Sequence, residues 1–169
     1  SNFYFLLALY ISANSFAQLR PITPTAEISV LTIESGTSLN DAFGHSAFRI
    51  KDSIANIDVI FDYGRYNFDA PNFYLNFARG KLEYKIGSNQ FDDFYRYYVN
   101  QNRGIKAQLL NLSFEEKKQL YTFLIRNYRP ENRSYLYDFF YDNCATKMRD
   151  VLLKTVDSNI TFIVIVPKR

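Results

Sequence analysis

The sequence predicts an α+β domain in which a small antiparallel sheet packs with helices. Three observations lead there. Several stretches alternate and are rich in branched residues, two of these are joined by a polar turn short enough for a hairpin, and other segments switch to helical spacing with clear start signals. At 169 residues the chain suits one domain, because a core of that size buries roughly 70% of the surface an unfolded chain exposes. Hydrophobic residues make up 47% and charged residues 22%, which excludes a disordered protein. Aromatic residues reach 18%, from 14 Tyr and 16 Phe, and imply a core rich in rings or a greasy substrate groove. The net charge of +3 is spread thinly over scattered Lys and Arg. That pattern leaves no nucleic-acid footprint, although it is compatible with weak attraction to an anionic membrane surface.

The first segment, SNFYFLLALYISANSFAQ, is too short to cross a bilayer and has the form of a secretory signal over 1–17, cut after Ala17. Residues 18–26 carry two prolines and read as a linker. EISVLTIES from Glu27 is a strand. HSAFRI from His45 is a second, with Ala47 and Arg49 on one face and Ser46, Phe48 and Ile50 on the other. DVIFDY, Asp58 to Tyr63, is a third, and the turn KDSIAN makes the pair an antiparallel hairpin. Pro71 opens a short helix over Phe73 to Arg79 that Gly80 ends. KLEYKI is a further strand, Phe91 to Val99 a helix, and IKAQLL from Ile105 a strand. Ser113 with Glu116 forms a capping box for a helix with Leu120, Phe123 and Leu124 on one face, closed by Pro130. A last helix starts at Cys144, with Met148, Val151 and Leu152 as its buried stripe. The folded domain is thus expected over 27–156, with an atypical tail at 157–169 that ends in a strand or in the cut edge of a longer protein.

One Cys and one His are present. They cannot build a structural zinc site, and neither a metal nor a cofactor is expected. In an exported protein a lone thiol signals an intermolecular bridge or a reactive group. Cys144 at the first turn of a helix meets unpaired N–H groups and the positive end of the helix dipole, both of which favour thiolate. Asp142 opposes that effect, while Asn143 can cap the helix. His45, after Gly44 and at the start of a strand, is the available base, and the two can meet only through the fold. Asp62 on the neighbouring strand is the first choice to orient the ring, Tyr63 pointing to the other face; the same carboxylate is equally read as a turn anchor. The backbone N–H of Cys144 is the natural oxyanion donor. Asn143, Gly44 and Ser46 flank the pair as candidate substrate-binding residues. Arg79 and Lys81, in NFARGKLEY, are candidates for a phosphate or carboxylate headgroup, or else solvated charges at a helix end.

The phrases DAFGHSAFRI, FDYGRYNFDAPNFYLNFARGKLEY and YDFFYDNCATKMRD, in this order and spacing, resemble the N-terminal periplasmic domain of the Lnb family, named for lipoprotein N-acylation in Bacteroides. The resemblance covers Glu27 to Leu153. It implies a papain-related fold in permuted order, His strand before Cys helix, similar to the NlpC and lecithin:retinol acyltransferase group. It also implies a periplasmic location, membrane association through further parts of a longer protein, and catalytic roles for Cys144 and His45. The implied reaction moves an acyl chain from a phospholipid donor, through a Cys144 thioester, to the N-terminal amine of a lipoprotein acceptor. Two other readings fit the same residues: a cysteine hydrolase of cell-wall peptides, and a non-catalytic envelope module with an inert thiol.

Overall fold

The computed structural model describes residues 20–37, 44–67, 71–136, 143–156 and 160, with the side chains of 77 and 78 excepted. The proposed signal over 1–17, Asp142, and all but the first residue of the tail strand from Ile160 to Val166 lie outside the described residues. Six strands form one sheet in the order β5-β1-β2-β3-β4-β6. They are β1 (Glu27–Ile33), β2 (His45–Asp52), β3 (Ile57–Arg65), β4 (Glu83–Gln90), β5 (Ile105–Leu109) and β6 (Ser134–Leu136). Every neighbouring pair is antiparallel. Helices α1 (Phe73–Ala78), α2 (Phe91–Val99), α3 (Phe114–Tyr128) and α4 (Cys144–Thr155) complete the described elements, so the α+β class holds.

Alternation along the strands sorts their side chains into two layers. Ile28, Phe48, Ile50, Phe61 and Tyr63 form one, packed with Leu120 and Leu124 of α3 and Met148 and Val151 of α4. Leu31, Ile33, Ala47 and Ile60 form the other, covered by Phe94 and Tyr98 of α2. The assignment of Phe48 and Ile50 to one face and Ala47 to the other therefore holds. The hairpin also forms, with Ala47 opposite Asp62 and Asp52 opposite Ile57. Its turn is built around Asp52, which is almost fully buried. One carboxylate oxygen of Asp52 accepts from the N–H groups of Ile54 and Ala55, each at 3.0 Å, and the other from Thr23 N–H at 2.6 Å. The capping box at Ser113 is present, and α2 occupies Phe91–Val99 as its aromatic spacing predicts.

Three differences from expectation have tertiary causes. The fourth strand runs Glu83–Gln90 rather than over KLEYKI, because its polar end GSNQ pairs with Val59 to Asp62 of β3, and cross-strand pairing overrides a weak local preference. Ser134–Leu136, not expected as a strand, pairs with Glu83 to Lys85; three residues are too few to show alternation. The third strand continues past Tyr63 to Arg65 through a register shift between Asp62 and Arg65.

Candidate active site

Gly44 sets the start of β2. Its φ of +72° is a conformation that side chains disfavour, and a Cβ there would lie 2.6 Å from the Ile33 carbonyl oxygen. The close approach at Gly44 is made by the end of β1. His45 follows and shares the face of Ala47 and Asp62. A carboxylate can only accept, so His45 donates from Nε2 to Asp62 Oδ2, at 3.0 Å. Asp62 is 5% exposed.

Cys144 approaches from α4, which packs on the opposite layer. It reaches the imidazole at the end of the sheet, beside Gly64, where a Cβ would stand 3.9 Å from Cys144 Cβ. Space would admit a methyl group at Gly64; its φ of +98° is what calls for glycine. His45 and Cys144 lie close enough for each to shift the other's pKa, with His45 Nε2 engaged by Asp62. The backbone N–H groups of Ser46 and Ala145 lie near enough to the sulfur to lower its pKa. Asn143 is the helix cap: its side-chain oxygen accepts from Ala145 N–H at 3.0 Å and Thr146 N–H at 3.1 Å, and Thr146 Oγ1 accepts from Asn143 N–H at 2.9 Å.

These contacts set the charges. Burial acts to lower the pKa of His45, yet the bond and charge of Asp62, joined by those of Cys144, push it up to about 9. Burial likewise pushes the Cys144 thiol up, but hydrogen bonding to and the charge of His45, with the two backbone N–H groups, bring it below its ordinary value. Asp62 is held below the usual carboxylate range against its own burial by His45 and Arg65. The arrangement is therefore suited to a thiolate beside an imidazolium.

Cys144, His45, Asp62, Asn143, Gly44 and Ser46 thus come together, Ser46 through its backbone. Arg79 and Lys81 do not join this group. They are exposed in the turn between α1 and β4, where Arg79 N–H is bonded to Leu75 carbonyl and Lys81 N–H to Asn76 carbonyl. Tyr63 faces the other layer, as expected, and donates from its hydroxyl to Asn127 Oδ1 at 2.6 Å. Sequence reasoning missed Arg65, whose Nε donates to Asp62 Oδ1 at 2.8 Å. The available signal was Gly64 inside a strand pattern, which marks a bulge. The ring centroid of Tyr98, on α2, lies 6.3 Å from that of His45, a proximity that sequence reasoning also missed. Among the described residues no group of His, Cys, Asp and Glu could hold a metal ion.

The Lnb N-terminal periplasmic domain family model matches residues 18–165. The chain belongs to this family. The family that the three phrases resemble is the one matched, and the match extends beyond both ends of that stretch, into the linker and the tail. Its description makes this Lnb domain periplasmic. No helix among the described residues is long and apolar enough to cross a membrane. Neither a curated protein nor a solved structure matches the chain.

Proposed function

We propose that this Lnb domain is an exported, cysteine-dependent acyltransferase with a permuted papain-related fold, moving an acyl chain from phospholipid to the N-terminal amine of lipoproteins at the membrane surface. The observation that carries the reading is the placement of Cys144, at the start of α4 and beside Gly64, near the imidazole of His45, with Asp62 bonded to the far side of the ring. In the first half-reaction the Cys144 thiolate attacks the carbonyl carbon of an acyl ester. The Cys144 N–H at the start of α4 faces the developing oxyanion, since the Asn143 side chain is engaged by Ala145 and Thr146 instead. Collapse breaks the ester C–O bond; the lysophospholipid oxygen leaves with the proton of the imidazolium, and a thioester remains. In the second half the lipoprotein amine attacks the thioester carbon and gives a proton to the neutral imidazole. The C–S bond breaks, an amide forms, and the thiolate–imidazolium pair is restored.

The test is to incubate the chain with labelled phospholipid and follow the label. A hydroxylamine-labile acyl group on Cys144, discharged by an N-terminal cysteine amine, is the expected result. A folded protein that takes no label, or that instead cleaves peptidoglycan fragments, would overturn the reading.

A further inference from the structure

We propose that Arg65 is a positioning residue for the thiol–imidazole pair: its guanidinium holds one oxygen of Asp62 so that the other faces His45. Four independent observations converge on it. Arg65 Nε lies 2.8 Å and Nη2 2.7 Å from Asp62 Oδ1, while Oδ2 bonds His45 Nε2. Residues three apart on a flat strand face opposite ways. The register shift adds one residue to β3 between Asp62 and Arg65 and returns both to one face. Gly64, with φ of +98°, lies within that shift.

The guanidinium then crosses β4 at Gly87, the register partner of Asp62. A Cβ at Gly87 would stand 1.8 Å from Arg65 Nε, so only glycine leaves room for the arginine there. Gly87 has no positive φ to account for it, which leaves the passage of Arg65 as its reason. Finally Arg65 Nη2 donates to Asn89 Oδ1 on the same strand, fixing the far end of the fork. A lysine offers a compact point charge rather than the planar fork that here spans Asp62 Oδ1 and Asn89 Oδ1.

Among the described residues, the titratable groups that face His45 are Asp62 from β3, Cys144 from α4 and Tyr98 from α2. Arg103 stacks over the Tyr98 ring, its Cζ 4.7 Å from the centroid. Arg65 acts through Asp62. Without it the carboxylate is free to turn, the imidazolium is less well aimed at the sulfur, and a nearby positive charge is lost; each change disfavours thiolate.

This inference rests on the reactive thiol proposed above, but its readout does not need acyl transfer. Because the chain has a single Cys, the pH profile of its alkylation by iodoacetamide reports Cys144 alone. Arg65→Gln in the full chain should move that profile to higher pH by on the order of one unit, and Asn89→Ala should move it in the same direction by less. An unshifted profile in folded Arg65→Gln overturns the inference. Should Arg65→Gln fail to fold, an unshifted profile in Asn89→Ala, a change at an exposed side chain, does so instead. A shifted profile in a protein that never forms the acyl thioester would leave Arg65 in its place and sink only the acyl-transfer reading.

Discussion

A buried carboxylate between two cations is the residue-scale origin of everything the site does. Asp62 stays ionised because His45 and Arg65 outweigh its burial, and its charge in turn keeps His45 protonated well above the ordinary imidazole range. Since His45 is the single histidine, its titration can be followed without ambiguity by NMR of the imidazole nitrogens. The transition should lie at about 9, against the ordinary 6.5, and should fall in Asp62→Asn, which keeps the shape of the side chain and removes its charge. A wild-type transition near the ordinary value would contradict the ion pair. At the same scale Cys144→Ser should abolish acyl transfer. His45→Ala should cost about 10²–10⁴-fold in turnover, the usual contribution of a general acid–base group. Both variants should remain folded, because Cys144 and His45 lie at the end of the sheet and neither belongs to its fully buried core. Full turnover in either would remove that residue from the mechanism.

At the scale of elements, the first turn of α4 does three things. It supplies N–H groups to Asn143, brings that of Ala145 near the sulfur, and sets the positive end of the helix dipole against the thiol. Asn143→Ala should therefore lower stability by about 1 kcal/mol and, in the same protein, slow alkylation of Cys144 near neutral pH. Loss of stability with an unchanged thiol would show that the cap serves the fold alone. How much of this was legible in the sequence depended on the range of the cause. Asn143, the Ser113 box, the helix over Phe91 to Val99 and the opposite faces of Ala47 and Phe48 follow from local spacing, and each was readable. Arg65 was not, because its face is decided by a bulge that exists only when β3 pairs with β4. Gly87 gave no local sign either, since its reason is an arginine 22 positions earlier in the chain (87 − 65) crossing the neighbouring strand. β6 was hidden in the same way: it is a strand through its partner Glu83 to Lys85 rather than through its own pattern.

At the scale of the whole molecule, the pair couples chemistry to folding stability through proton counting. In the unfolded chain between the ordinary imidazole value of 6.5 and the ordinary thiol value of 9.0, the imidazole is neutral and the thiol protonated, so the two carry one proton together. In the folded chain, from the lowered thiol pKa up to about 9, the imidazole is protonated and the thiol is not, which is again one proton. Stability depends on pH only where the two states bind different numbers of protons. The pair therefore adds no slope in that window, even though each member is strongly shifted. Taken singly, the raised His45 contributes stability that is complete below 6.5 and lost as pH rises through about 9. The lowered Cys144 contributes stability that is complete above 9.0 and lost as pH falls through its folded value. Their slopes oppose and cancel. Cys144→Ser removes one side of the balance, leaving an imidazole still raised by Asp62. Its unfolding free energy, from urea titrations followed by circular dichroism, should then fall as pH rises from the ordinary imidazole value of 6.5 towards about 9, by up to about 1.4 kcal/mol per pH unit, while the wild type falls less steeply because its lowered thiol opposes that slope. Equal slopes in the two proteins would mean that the folded thiol is neutral, and the proposed nucleophile would lose its physical basis.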